Sequence, residues 1–201
     1  MRDERIQKVL AAQGVCSRRA AEQLILQGRV KLNGRPVGLG DKMDTDKDVL
    51  SVDGRRIAVP KKAEKYYYML HKPRGFITTT SDERGRRTVM DLMEGVPVRV
   101  YPVGRLDKDS EGLLLLTNDG EFANLLTHPS HGVTKLYRVT VHPHATEEQL
   151  IALTDGVVLD DGTKTQPVVI RVVADEPERT VMEMTLSEGK NRQIRRMCEA
   201  V

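Results

Sequence analysis

The first sixty residues alternate short apolar patterns with turn residues. Apolar positions three and four apart predict a first helix that stops before Gly14 and a second helix that begins at the N-cap Ser17. The second helix ends before Gly28, after which the alternation over residues 30–32 predicts a strand. The dipeptide Asn33-Gly34 predicts a hairpin turn. We therefore expect two helices and a small hairpin sheet in this part of the chain.

From residue 66 onwards, strands dominate the pattern and helices are interspersed among them. Apolar spacing and the capping box that opens at Thr146 predict helices at 121–126, 146–154 and 192–199. Strands are predicted at 66–70, 76–80, 98–103, 113–117, 136–141, 157–159, 167–173 and 180–186. The helices do not follow the strands in a regular βαβ rhythm, so the predicted fold class is α+β with a mainly antiparallel sheet.

These patterns divide the chain into two parts. We expect a small α/β domain at 1–60, a polar and basic linker at 61–65, and a second domain at 66–201. A chain of 201 residues is long enough for two small domains with cores of their own. It ends inside a predicted helix, so we also expect that a C-terminal part of the second domain is missing.

Positive charge is concentrated at the front of the chain. Residues 1–40 contain eight Lys or Arg and three acids, a local net charge of +5, whereas the whole chain carries +3. This asymmetry is typical of a module that binds a polyanion, although a solvated surface is the commoner fate of such residues. Two of the arginines, Arg18 and Arg19, fall in the first turn of the second helix, where a phosphate would meet both their side chains and free amides.

Several classes of protein are disfavoured by composition. No apolar run approaches the roughly 20 residues of a membrane span, and no signal peptide opens the chain, so we expect a cytoplasmic protein. Cys16 and Cys198 lie far apart and near no ligand cluster, which disfavours a disulfide framework or a zinc site. The five histidines do not show metal-ligand spacing, so no metal is expected.

The segment 104–116 places a carboxylate, Asp107, at the entrance of a predicted buried strand. Three interpretations compete. A calcium loop would need Glu at position 118, which is Asn. A salt-bridged turn is the ordinary role of an Asp next to an Arg. A catalytic carboxylate would need partial burial and a positioned cation that keeps it ionised.

Residues 186–197 offer candidates for that cation. A strand ends at Gly189, and a helix then begins with Lys190, Arg192 and Arg195 in or near its first turn. Cations are unfavourable at the positive end of a helix, so this corner fits a site that faces phosphate or a carboxylate. A basic surface turn is the alternative interpretation.

The front of the chain resembles the small RNA-binding domain of bacterial ribosomal protein S-four. The resemblance is carried by three segments: Arg5-Ile6-Gln7-Lys8-Val9-Leu10, Cys16-Ser17-Arg18-Arg19-Ala20-Ala21 and Gly28-Arg29-Val30-Lys31-Leu32-Asn33-Gly34. It implies that this domain binds RNA through the basic residues of its helix and hairpin, which are Arg5, Arg18, Arg19, Lys31 and Arg35.

The rest of the chain resembles the pseudouridine synthases, specifically their ribosomal RNA branch typified by RsuA and RluB. Four segments carry this resemblance: Leu70-His71-Lys72-Pro73-Arg74-Gly75, the signature from Gly104 to Gly120, Lys135-Leu136-Tyr137-Arg138-Val139, and Glu188 to Met197. The family isomerises uridine to its C-glycoside without a cofactor. We therefore expect a monomeric enzyme that acts on ribosomal RNA, with an α/β RNA-binding domain followed by a mainly antiparallel-sheet catalytic domain.

The resemblance also implies roles for individual residues. Asp107 matches the catalytic carboxylate, Tyr137 the tyrosine that stacks on the target base, and Arg195 the arginine that pairs with the aspartate. A Tyr at the centre of a strand could equally belong to the core. Leu186 matches the apolar residue beneath the base, with ordinary core as its alternative. Further predicted contacts are to substrate by Arg105, Lys190 and Arg192, and to RNA by Lys72 and Arg74.

Two other functions stay open at the level of sequence. The first is a ribosome-assembly factor that binds RNA without catalysis and has no need of Asp107. The second is a magnesium-dependent nuclease that uses Asp107 and Asp109. Within the family, the context of residues 117–120 and 128–130 favours large-subunit over small-subunit ribosomal RNA.

Overall fold

The computed structural model describes residues 3–59 and 64–201, so most of the predicted linker, residues 61–63, lies outside the described residues. The chain divides into two compact units, Met1–Ala123 and Asn124–Val201. Each unit contains antiparallel sheets and short helices, which confirms the α+β fold class. The limits 1–60 and 66–201 proposed for the two domains remain predictions.

The first unit opens with two helices and a small sheet. Helix α1 is Ile6–Ala12 and helix α2 is Arg18–Leu26, which begins where the Ser17 hydroxyl accepts a hydrogen bond of 3.1 Å from the amide of Ala20. Four antiparallel strands follow in the order β3-β2-β5-β6, and a separate pair joins β1 to β4. Their bounds are β1 Glu4–Arg5, β2 Val30–Leu32, β3 Arg35–Pro36, β4 Lys42–Met43, β5 Leu50–Val52 and β6 Arg55–Arg56.

The inner faces of these helices and strands share one apolar core. Ile6 and Leu10 of α1, Ile25 of α2 and Leu50 of β5 are each at most 3% exposed and belong to one cluster. Met43 in β4 belongs to this cluster and is fully buried.

A second sheet in the first unit carries the segment around Asp107. Its three antiparallel strands lie in the order β7-β9-β8, with β7 at Tyr67–Lys72, β8 at Tyr101–Val103 and β9 at Gly112–Thr117. A 3₁₀ helix, Val89–Met93, lies between β7 and β8. Helix α3, Gly120–Thr127, follows β9 directly.

The second unit is a three-stranded antiparallel sheet with two helices. The strand order is β10-β12-β11, and Met182, Met184 and Leu186 of the central strand face a core shared with helix residues. A further 3₁₀ turn covers Pro129–His131. The bounds are β10 Lys135–Val141, α4 Glu147–Asp155, β11 Val169–Glu176, β12 Arg179–Leu186 and α5 Gln193–Glu199.

Two predicted strands are wrong. Residues 76–80 form one isolated bridge, Ile77 to Thr88, and the hydroxyl of Thr78 bonds to the backbone of Leu106. Residues 157–159 likewise form only the bridge between Val158 and Lys164. The described residues contain no helix of the length and apolarity needed to cross a bilayer.

Candidate active site

The loop between β8 and β9 carries Asp107, and the side chain of Thr78 holds the backbone of this loop. The Thr78 hydroxyl donates to the carbonyl of Leu106 at 2.7 Å and accepts from the amide of the same residue at 3.2 Å. Thr78 is only 4% exposed, so these bonds are shielded from water. The residue before Asp107 is therefore fixed through both of its backbone polar groups.

Lys72 at the end of β7 holds the rest of this loop. Its side chain is fully buried, and Nζ donates to the carbonyls of Asp107 at 2.9 Å, Ser110 at 2.7 Å and Pro73 at 3.1 Å. A buried ammonium without partners would be strongly destabilising, and carbonyl oxygens that replace its water shell offset that cost. The loop consequently wraps around the ammonium group of Lys72.

The charge of Lys72 is influenced by two opposing effects. Burial lowers the pKa of this lysine, while the nearby carboxylates of Asp107, Asp109 and Glu111 act to raise it. The net pKa lies below its ordinary value. We predicted Lys72 as an RNA contact, and its burial does not fit that role because its three N–H groups are already used inside the protein.

Two further bonds complete the loop. The amide of Gly75 donates to the carbonyl of Lys108 at 2.8 Å, and the amide of Ser110 donates to that of Asp107 at 3.1 Å. The side chain of Asp107 is half-buried. Arg105 is exposed, and the exposed Arg74 pairs with Glu111 at 3.4 Å. Both arginines thus remain accessible near Asp107.

The other end of β9 is fastened to β7 by the side chains of residues 117–119. Thr117 donates to the carbonyl of Tyr66 at 2.6 Å, and Asn118 accepts from its amide at 2.8 Å. Asp119 accepts hydrogen bonds from the hydroxyl of Tyr67 at 2.8 Å and from Lys65 at 2.9 Å. These side chains fix the strand that leads away from the Asp107 loop.

Asp119 also begins helix α3. Its other carboxylate oxygen accepts from the amides of Glu121 at 3.0 Å and Phe122 at 3.3 Å. Burial disfavours the ionised form, but the bonds from Lys65, Tyr67 and the two amides outweigh burial and lower the pKa of Asp119 to about 2. An Asp directly before a predicted helix is a typical N-cap signal, and this signal could have identified Asp119 from the sequence.

In the second unit, Tyr137 and Leu186 lie on β10 and β12. Tyr137 is half-buried against the core and pairs in register with Met184, while Leu186 is 2% exposed and pairs with Lys135. Both therefore contact the apolar core, as the core alternative predicted, and their predicted contacts with a base remain predictions.

The corner between β12 and α5 is organised by Glu188. This carboxylate accepts from the amide of Gln166 at 3.0 Å and from the side chain of Gln193 at 2.6 Å, and it pairs with the ammonium of Lys190. Burial raises the pKa of Glu188, but these bonds prevail and the pKa is lowered. Glu188 and Gln193 lie inside a family motif but were assigned no role from the sequence, and both accept hydrogen bonds from backbone amides of this region.

The predicted arginines of this corner are accessible. Arg192 occupies the N-cap position of α5 with a left-handed backbone (φ 49°), and both it and Arg195 are exposed. The predicted pairing of Arg195 with Asp107 joins residues of different units and stays a prediction.

The candidate RNA-binding residues of the front segment, which is the predicted domain 1–60, all lie at the surface. Arg5, Arg19, Lys31 and Arg35 are exposed. Arg18 is exposed too, and one of its terminal nitrogens would lie 3.7 Å from a Cβ placed on Gly120. Arg18 therefore lies close to the start of α3. The described residues contain no group of His, Cys, Asp and Glu side chains able to hold a metal ion.

Comparisons with known proteins match this chain to RNA pseudouridine synthases and to the S4 domain. A family model described as RNA pseudouridylate synthase matches residues 66–200, and one for the S4 domain matches residues 4–49. The chain is 45% identical to the ribosomal large subunit pseudouridine synthase B of Bacillus subtilis (strain 168), over 98% of this chain and 80% of that protein. It is 41% identical to an uncharacterized RNA pseudouridine synthase of Aquifex aeolicus (strain VF5), over 100% of this chain and 80% of that protein.

The fold comparison agrees. The crystal structure of a pseudouridylate synthase matches with a TM-score of 0.66 and 28% identity, over 98% of this chain and 83% of that chain. The fold and both sequence matches therefore point to the family that the motifs indicated.

Proposed function

Because this chain belongs to the RNA pseudouridine synthase family, we propose that it isomerises a uridine of ribosomal RNA, with Asp107 as the catalytic carboxylate. The reaction breaks the bond between N1 of uracil and C1′ of ribose. The base then turns, C5 bonds to C1′, the proton on C5 is released, and N1 takes up a proton. Atoms balance without an oxidant, a reductant or a cofactor.

The observation that carries this proposal is the clamped loop around Asp107. Thr78, Lys72 and Gly75 hold the backbone of residues 106–110 through hydrogen bonds of 2.7 to 3.4 Å. A carboxylate that reacts at one defined carbon must be held within about half an ångström of its productive position. A loop that only turned a corner at the surface would not need a buried lysine to hold it.

The buried lysine also contributes charge. Burial lowers the pKa of Lys72 and the Asp107 carboxylate acts to raise it, so the two charged groups interact within the loop. Asp107 either adds covalently to the nucleotide or removes a proton from the sugar. Both routes begin with an ionised, positioned carboxylate and both end with loss of the C5 proton.

The target base must leave its stack to reach Asp107. Extrusion of a base costs a few kcal/mol, and the cost is least for a nucleotide in a loop or bulge. We assign Tyr137 to stacking on the extruded base, Leu186 to support beneath it and Arg195 to pairing with the carboxylate. Arg105 is a candidate wedge or phosphate contact beside the extruded nucleotide, because it is exposed two residues before Asp107.

Binding to ribosomal RNA is assigned to the front segment and to Arg74, Lys190 and Arg192. The exposed cations supply phosphate contacts that anchor the enzyme independently of sequence; they are Arg5 before α1, Arg18 and Arg19 of α2, and Lys31 and Arg35 of the hairpin. Relatives named as large-subunit synthases in Bacillus subtilis and Vibrio cholerae, at 45% and 40% identity, favour large-subunit RNA as the substrate.

The experiment that tests this function is pseudouridine mapping of ribosomal RNA from a strain that lacks the gene. We expect the loss of pseudouridine at one or a few positions of the large-subunit RNA, with restoration by the wild-type gene. An unchanged map in both subunits would contradict the proposal.

A further inference from the structure

The segment between Ile77 and Thr88 carries Arg84, Arg86 and Arg87, none of which the sequence motifs singled out. The guanidinium of Arg86 is already paired with a carboxylate of the same turn. Its guanidinium bonds to both carboxylate oxygens of Asp82, at 2.6 and 3.2 Å, and its amide donates to the same group at 2.8 Å. These bonds lower the pKa of Asp82 to about 2. Arg86 therefore serves to shape the turn.

Arg87 is arranged differently. The central carbon of its guanidinium lies 4.7 Å from the centre of the Phe76 ring, the geometry of a cation–π contact. The side chain is exposed, and within residues 3–59 and 64–201 no carboxylate forms an ion pair with it. A cation–π contact uses one face of the guanidinium and leaves its N–H groups free.

The backbone at Arg87 is held by a hydrogen bond and by a buried neighbouring residue. Its carbonyl accepts from the amide of Ile77 at 3.0 Å, and the next residue, Thr88, is 7% exposed and caps the following 3₁₀ helix. A side chain held at its backbone and along its guanidinium plane loses little conformational entropy when it binds a ligand. Arg87 is thus arranged in advance for contact with a ligand.

The position of Arg87 relates it to the Asp107 loop. One of its terminal nitrogens would lie 3.7 Å from a Cβ placed on Gly75, and the amide of Gly75 bonds to the carbonyl of Lys108 at 2.8 Å. Lys108 follows Asp107 directly. Arg87 is therefore separated from the loop that carries the carboxylate by a single residue, Gly75.

We propose that Arg87, stacked on Phe76, binds an RNA phosphate next to the uridine that is presented to Asp107. A planar guanidinium with free N–H groups matches two oxygens of one phosphate. This inference rests on the proposed function, because it assumes that RNA approaches the Asp107 loop. The contact would hold the strand in place while the base turns over.

The test compares Arg87→Gln with the matched control Arg86→Gln, on an in vitro transcript of large-subunit ribosomal RNA labelled with tritium at C5 of uridine. We expect Arg87→Gln to raise KM and Kd about five- to tenfold and to leave kcat within about twofold of the wild type. The slope of log K against log salt should fall by about 0.7 to 1, the loss of one phosphate contact. Arg86→Gln removes a guanidinium that is already paired with Asp82, so it should leave the salt slope unchanged and alter KM and Kd less than Arg87→Gln does.

Two more variants separate the contribution of the Phe76 ring from that of the positive charge of Arg87. Phe76→Leu keeps the guanidinium but removes the ring, so it should raise KM by a few fold without changing the salt slope. Arg87→Lys should keep the slope and recover part of the affinity. Far-UV circular dichroism of each variant checks that the fold is retained.

Two results would overturn the inference: Arg87→Gln with wild-type KM and salt slope, or Arg86→Gln with an equal loss. If the wild type releases no tritium from transcripts of either subunit, the proposed function fails instead. The salt dependence of filter binding then still decides whether Arg87 holds a phosphate.

Discussion

Lys72 Nζ donates a hydrogen bond of 2.9 Å to the carbonyl oxygen of Asp107, and the two residues lie 35 positions apart in sequence. The lysine is fully buried, so its ammonium group bonds to carbonyl oxygens inside the protein and not to a ligand. Lys72 is therefore a positioning residue: it holds the backbone of the loop that carries the Asp107 carboxylate.

Replacement of this lysine should reduce both stability and turnover. In Lys72→Met, the carbonyls of Asp107 and Ser110 lose a buried donor, which costs about 1–3 kcal/mol for each acceptor left unsatisfied. We expect a lower free energy of unfolding in urea and a kcat reduced at least about tenfold at saturating RNA. The control is Lys108→Met, at an exposed neighbour in the same loop. Wild-type turnover in Lys72→Met would exclude a positioning role.

Asp119 gives a prediction with a defined pH range. Its pKa is lowered to about 2 in the folded protein, against 3.8 for a free carboxyl group. The folded state thus favours the ionised form, and the stabilisation is complete above about pH 5 and is lost as the pH falls towards 2. Asp119→Asn should cost on the order of 2 kcal/mol at pH 7, and the difference from the wild type should shrink below pH 4.

The matched control for Asp119 is Glu121→Gln. Glu121 approaches the same Lys65 ammonium, but only at 3.9 Å and from an 81% exposed side chain. Chemical denaturation at pH 7 and pH 3 would measure both variants. An equal loss in the two variants, or a loss for Asp119→Asn that does not depend on pH, would contradict the assignment.

The front segment should govern affinity and not turnover. Arg19 and Lys31 are exposed cations, so the double variant Arg19→Gln/Lys31→Gln should bind RNA more weakly, by about tenfold at 0.1 M salt. Its tritium release at saturating RNA should equal that of the wild type. In the control Arg29→Gln, the lost cation already bonds to Asp53 at 2.6 and 2.8 Å, and the affinity should change little. A fall in kcat without a fall in affinity would contradict this division.

Removal of divalent metal tests the nuclease alternative. We expect tritium release to survive EDTA on an RNA that keeps its fold in monovalent salt, and to survive Asp109→Asn. Loss of activity in EDTA that magnesium restores, with cleavage of the RNA chain, would favour the nuclease.

Local signals in the sequence predicted much of the fold. The N-cap Ser17 and the capping box at Thr146 correctly marked the starts of α2 and α4, because these signals depend only on neighbouring residues. The strand predicted at 76–80 from β-prone residues was wrong, because only Ile77 forms a backbone bridge, to Thr88, and no ladder extends from it. Single-sequence periodicity carries no information on such partners.

The candidate site shows the same limit. The motifs directed attention to Asp107 and the corner around Arg192, but they did not separate buried from exposed cations. Lys72 looks like a surface lysine in a turn, and only the fold places carbonyls around it. Arg86 and Arg87 are adjacent and identical in type, yet one pairs with Asp82 and the other stacks on Phe76.

The most direct measurement is tritium release by Asp107→Asn from C5-labelled ribosomal RNA transcripts, beside Asp109→Asn as the control. An amide cannot act as a nucleophile or base in place of a carboxylate, so we predict a rate at least about a thousandfold below the wild type. RNA affinity should change little and the thermal midpoint should fall only slightly, because the hydrogen bonds of the clamp use the backbone of Asp107 and its side chain contributes only a charge interaction with Lys72. Retained tritium release by Asp107→Asn would contradict the assignment of this residue as the catalytic carboxylate.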